Sequence, residues 1–194
     1  MSIEYSIELD HRLWMPVPLS FPWNDYESPE RWAADIAHDL LQGLGAPPEV
    51  QQALEDTALH HALVAPPLPE AIERFWRRPE AGAPDRLVHL YALETDAFAA
   101  EELVEISRVG IGGLVQTVTV LEETGFDVAL RVVLLLEVGE SPIAVVRLIG
   151  TGGGGALMLE QIDADLGAVA ALEPDLEALL RSIRVRPGSD ATAD

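Results

Sequence analysis

Hydrophobic and polar positions alternate most regularly between residues 125 and 151. Phe126, Val128, Leu130, Val132, Leu134, Leu136 and Val138 take every second position, the period of a strand with one buried face. The positions between them hold Asp127, Arg131 and Glu137 but also Ala129, Val133 and Leu135, so the middle of the second face is expected to be covered too. Gly139-Glu140-Ser141-Pro142 supplies turn chemistry, and residues 143–149 read as a returning β-branched strand.

The same periodicities divide the rest of the chain. Ile3, Tyr5, Ile7 and Leu9 alternate with polar residues and predict a half-buried strand. Residues 13–23 carry three prolines, two tryptophans and a phenylalanine, which restricts them to a sheet edge or an extended loop. Ser28 and Pro29 open a helix whose apolar face is Trp32, Ala33, Ile36, Ala37, Leu40 and Leu44, and Gly43 and Gly45 close it. A second helix is expected from Pro47-Pro48 to about residue 64, and a proline-rich break at 65–69 follows. The spacing of Ile72, Phe75 and Trp76 then predicts a short helix ending in Arg74, Arg77 and Arg78, stopped by Pro79. Residues 87–94 and 114–121 read as strands and 96–107 as helical by propensity. The glycines at 152–155 lead to a strand at 156–162. A closing helix over 173–183 places Leu172, Leu176, Leu179 and Ile183 on one stripe.

Strands in a meander with helices before and after give an α+β fold: a single, mostly antiparallel twisted sheet with helices packed on it and a closing C-terminal helix. Length sets one domain over residues 1–186, with 187–194 a flexible acidic tail.

Composition narrows the function classes. All twelve basic residues are arginine, which excludes Schiff-base lysines and a P-loop lysine. With no cysteine there is no thiol catalysis, disulfide or zinc–thiolate site. The net charge of −21 repels phosphates and anionic lipid, so neither nucleic acid nor membrane is an expected partner. The N-terminus lacks a basic, then apolar leader pattern, and no apolar run is long enough to cross a bilayer; the expected location is cytoplasmic.

Individual motifs yield little chemistry. The GTGGGG run at 150–155 is read as a hairpin loop, because a strand pattern rather than a helix follows it. His38 and His60, with Asp35, Asp39 and Asp56, lie on helix faces that two antiparallel helices can bring together; they are weak metal candidates, and ordinary surface pairs are the preferred reading. His89 and Tyr91 share a strand face and are expected to pack as a hydrogen-bonded pair. Asp163-Ala164-Asp165-Leu166-Gly167 lacks the closing glutamate of a calcium loop and reads as an acidic turn. None of the eight serines sits in a nucleophile motif. No catalytic residue and no cofactor is assigned.

The proline-held aromatic strip is the best lead. Trp14, Pro16, Phe21 and Trp23 are the candidate partner-binding residues, although the burial that tryptophan favours makes completion of the core the preferred reading of the strip. The element order and the closing EPDLEALLRSIRV, with Ser182-Ile183-Arg184-Val185, resemble the Mog1/PsbP-like group. Trp14-Met15-Pro16 followed by a tryptophan-bearing helix is similar to actinobacterial proteins of that plan. The resemblance implies an α/β/α sandwich and a non-enzymatic module, since its members bind GTPases, photosystem subunits or secreted effectors. The expected function is therefore a protein-interaction module, adaptor or chaperone-like, or a subunit of a larger assembly, with a homo-oligomer compatible. The alternative is a small-ligand- or metal-binding protein or enzyme, with a pocket between the sheet and the first two helices that uses Asp35, His38, Asp56, His60 or Arg131.

Overall fold

The computed structural model describes residues 3–78, 85–93, 99–108, 110, 113–138 and 141–186. Its strands are β1 (Glu4–Ile7), β2 (Trp14–Pro16), β3 (Ala71–Arg77), β4 (Arg86–Leu93), β5 (Leu114–Val120), β6 (Val128–Val138), β7 (Ser141–Gly152), β8 (Gly155–Asp163) and β9 (Ile183–Arg186). Its helices are α1 (Pro29–Leu41), α2 (Pro48–Leu63), α3 (Ala100–Ile106) and α4 (Leu166–Arg181). The fold is α+β and its pairings are antiparallel. They form two sheets rather than the single one expected: seven strands in the order β2-β3-β4-β8-β7-β6-β5, and a separate β1-β9 pair. The separation has a simple cause, because β1 finds its partner in the strand that follows α4 and not in the main sheet.

Helices cover both faces of the large sheet. On one face Phe75, Val88, Leu90, Leu148 and Leu159 pack against Val169, Leu172, Leu176 and Leu179 of α4, with β1 and β9 beside them. On the other, Leu103 of α3 sits among Tyr91, Leu130, Val132 and Met158. The α1–α2 hairpin packs on this second face through Trp32, Ala33, Ala58 and Ala62 against Trp76. Two covered faces explain why β6 and β7 read as nearly continuous apolar runs.

Local chemistry sets the helix ends. The Ser28 hydroxyl accepts from the Arg31 amide at 3.4 Å with Pro29 in the first turn. Asp165 caps α4 by accepting from the amides of Gly167 and Ala168 at 3.0 and 3.1 Å. The glycine run forms the expected hairpin loop: Gly153 and Gly154 have φ of +60° and +86°, a two-residue turn between Gly152 and Gly155.

Two expected elements are corrected. Residues 71–77 form a strand instead of a helix, because both of its faces are buried and the three-four spacing of Ile72, Phe75 and Trp76 coincides with that. The closing helix begins at Leu166, seven positions early, running through Pro174 because its true cap, Asp165, precedes an alanine-rich turn. The expected turn at Gly139-Glu140, the first part of the 96–107 helix and the 187–194 tail lie outside the described residues. No helix among the described residues is long and apolar enough to cross a membrane.

Candidate binding site

The aromatic strip divides between core and surface. Trp14, in the three-residue edge strand β2, is 2% exposed and belongs to the core beside α4. Pro16, Phe21 and Trp23 are half-buried. The Trp23 and Tyr26 rings stack at 6.3 Å, closing the loop before α1 with a pair of backbone hydrogen bonds at 2.9 Å.

Between β2 and α1 lies a half-open recess of about 200 Å³. Trp14, Met15 and Pro16 form one wall and Ile36 and Leu40 the other, with His11, Asp39 and Arg78 among its polar lining. The α-helical spacing of Ile36 and Leu40 turns both toward β2. Arg78 fixes the approach of the preceding chain: its amide donates to the Leu13 carbonyl at 2.8 Å and its guanidinium to the His11 carbonyl at 3.0 Å. The arrangement offers an apolar slot with a polar mouth of His11, Asp39 and Arg78, and its lining residues include no hydroxyl or thiol nucleophile.

The other predicted residues are not brought together. His38, Asp35, Asp56 and His60 all lie on exposed helix surface, Asp56 accepting from Gln52 at 3.0 Å. Among the described residues no three histidine, aspartate or glutamate side chains gather to hold a metal. Arg131 lies on the opposite face of the sheet from α1 and α2, bound to Glu173 and Glu177 of α4 at 2.7 and 2.8 Å. Where α1 and α2 meet the sheet, Trp32, Trp76 and three alanines fill the space in which a ligand pocket was considered.

Sequence reasoning missed a buried ionisable row. Strand register places Arg74, His89, Glu160 and Arg147 side by side across β3, β4, β8 and β7, all on the α2–α3 face. Arg147 and Glu160 are 0% and 1% exposed and form a paired, hydrogen-bonded couple. Tyr91 donates to Glu160 at 3.0 Å rather than bonding His89, and its hydroxyl accepts from the Leu68 amide at 3.4 Å. Burial first, then the charge of Glu160, raises the Tyr91 pKa. Both buried arginines cap helices from below. Arg74 donates to the His61 and Val64 carbonyls at the end of α2, and Arg147 to the Ser107 carbonyl at the end of α3 at 2.7 Å.

His89 is 6% exposed and its pKa falls to about 4, through burial and then the charges of Arg74 and His61. At the end of the row, His61 Nε2 lies 2.8 Å from Asp85, which also accepts from Trp76. Burial draws the Asp85 pKa upward, but the His61 and Trp76 contacts outweigh it and hold it low. The signal for this row was visible as a lone arginine in VVRLI and a lone glutamate in LMLEQI, at core-facing positions of two apolar strands. The row from Arg74 to Arg147 is buried and supports structure, while Asp85 at its end is exposed. Neither a protein-family model nor a curated protein sequence matches the chain.

Proposed function

We propose that the protein is a non-enzymatic interaction module of the Mog1/PsbP-like kind, adaptor or chaperone-like, that seats one apolar side chain of a protein partner between β2 and α1. The observation that carries this reading is the size of the recess. About 200 Å³ accommodates one large side chain, whereas small-molecule sites typically occupy about 300–1,000 Å³. Apolar walls with a polar mouth suit an anchoring residue whose flanking backbone stays wet. The closing helix α4 and the helices on both faces of an antiparallel sheet are consistent with the resemblance in the sequence, which is an analogy of plan and not of chemistry.

The test compares proteins captured from the native host by the wild-type chain, by Leu40→Asp in the recess wall and by Leu44→Asp on exposed surface nearby. A partner retained by L44D and lost from a folded L40D supports the reading. Equal capture by L40D, or no partner with the wild type, overturns it.

A further inference from the structure

We propose that the partner residue anchored between β2 and α1 is flanked by arginine or lysine, so that the recess takes a basic segment of a protein. This rests on the reading of the recess as the seat of one apolar side chain and adds the chemistry around that side chain. The recess opens along the unpaired side of an edge strand. Met15 packs with the cluster of α1 and α2 and Trp14 with that of α4, yet both line it together with Pro16. Successive strand residues point to opposite faces, so a recess that all three reach lies at the rim of the sheet.

That rim offers hydrogen-bond acceptors and no backbone donors. Met15 is paired with Trp76, and the Val17 amide donates to the Arg74 carbonyl at 2.9 Å, so Met15 and Val17 turn inward to β3. Trp14 and Pro16 turn their carbonyls outward, and among the described residues no donor reaches either. The amides that would stand beside those carbonyls are spent or missing. Trp14 donates to the Asp10 carbonyl at 2.9 Å, and Pro16 has no N–H. An incoming strand would find nothing to bond its own carbonyls, whereas a side chain made only of donors fits.

Charge on the facing helix agrees. Asp39 lines the recess beside Leu40, is exposed, and among the described residues has no arginine paired to it. Asp35, also exposed, lies one turn before it. Burial first, then the charges of Asp35 and Asp39, raise the pKa of Tyr26, so the field on this side of α1 is negative. The lining cations stand at the Leu13 end of β2, where the Arg78 guanidinium is turned to the His11 carbonyl at 3.0 Å. An arginine beside the anchor meets two unused carbonyls and a carboxylate, and its forked donors serve both. The net charge of −21 draws such a segment in from a distance.

Methyl NMR of the full chain, titrated with three blocked heptapeptides, tests this. The first is Gly-Ser-Arg-Phe-Arg-Ser-Gly; the second has glutamate for both arginines, and the third alanine for phenylalanine. A phenyl ring entering the recess shifts the methyl resonances of Ile36 and Leu40. We expect the first peptide to do so with a dissociation constant at least about tenfold below that of either other. Asp39→Asn is expected to weaken it about threefold, and Glu101→Gln, the same charge loss on exposed α3, to leave it unchanged. Equal binding of the arginine and glutamate peptides, or indifference to D39N, overturns the proposal while the recess remains the seat of an apolar residue. If neither phenylalanine peptide moves these methyls, or the alanine peptide moves them as far, the reading of the recess falls and this proposal with it.

Discussion

Arg147 and Glu160 show how a single buried pair constrains a sheet. Each is directly opposite the other on β7 and β8, so a one-residue slip would turn one charge into the other core without its mate. Glu160→Gln or Arg147→Met is expected to destabilise by about 3–5 kcal/mol, because the surviving partner stays buried and uncompensated. Arg147→Met with Glu160→Leu should recover most of that loss in urea denaturation. His89 makes stability depend on pH. It stays neutral in the fold down to about pH 4, whereas in the unfolded chain it protonates near the ordinary value of 6.5. Between these values the unfolded chain binds the additional proton, so stability falls as pH drops through that window, by up to about 3 kcal/mol, and the loss levels off below it. Denaturation at pH 7.5, 6 and 5 should show this slope, flattened in His89→Leu. The sequence marked these residues as ionisable but not as neighbours. Their adjacency comes from strand register across β3, β4, β8 and β7, which no local spacing encodes.

At the scale of elements, legibility followed the strength of local signals. The Ser28-Pro29 cap, the alternation from Val128 onward and the paired glycines at 153–154 act within a few residues, and each predicted its element. Residues 71–77 failed because a strand buried on both faces has no unique period: Ile72, Phe75 and Trp76 fit a helix as well. Arg74 completed the misreading, since arginine at the end of a supposed helix needs no other account, whereas its guanidinium caps α2 from the sheet. The start of α4 was lost because Asp165 read as part of an acidic turn rather than as a cap. Asp165→Ala should cost about 1 kcal/mol as two amides lose their cap. A thermal melt unchanged by that substitution would count against the assigned helix start.

For the whole molecule, the charge balance sets how the fold responds to solvent. Thirty-three acids against twelve arginines leave repulsion spread over the surface, while the arginine pairs to α4 are partly sheltered. Raising sodium chloride should therefore raise the melting temperature by a few degrees; a decrease would mean that exposed ion pairs dominate instead. The candidate recess was half legible. The proline-held strip drew attention to Trp14 and Pro16, but the opposing wall of Ile36 and Leu40 belongs to a helix whose packing could be read and whose neighbour could not. The burial of Trp14 shows why an aromatic run alone does not separate core from interface: β2 inserts one tryptophan beneath α4 and leaves Met15 and Pro16 at the rim.

The β1–β9 pair places Glu4 opposite Arg186, so residues from the two ends of the described chain run side by side. In connectivity the fold is close to a ring, and its present opening is a matter of sequence order rather than of packing. Joined by a short linker across that pair and reopened at the exposed Gly43–Gly45 turn, the same residues would keep every strand neighbour they have. The longest-range pairing in the described fold would become a hairpin, and a chain with more local contacts is expected to fold faster.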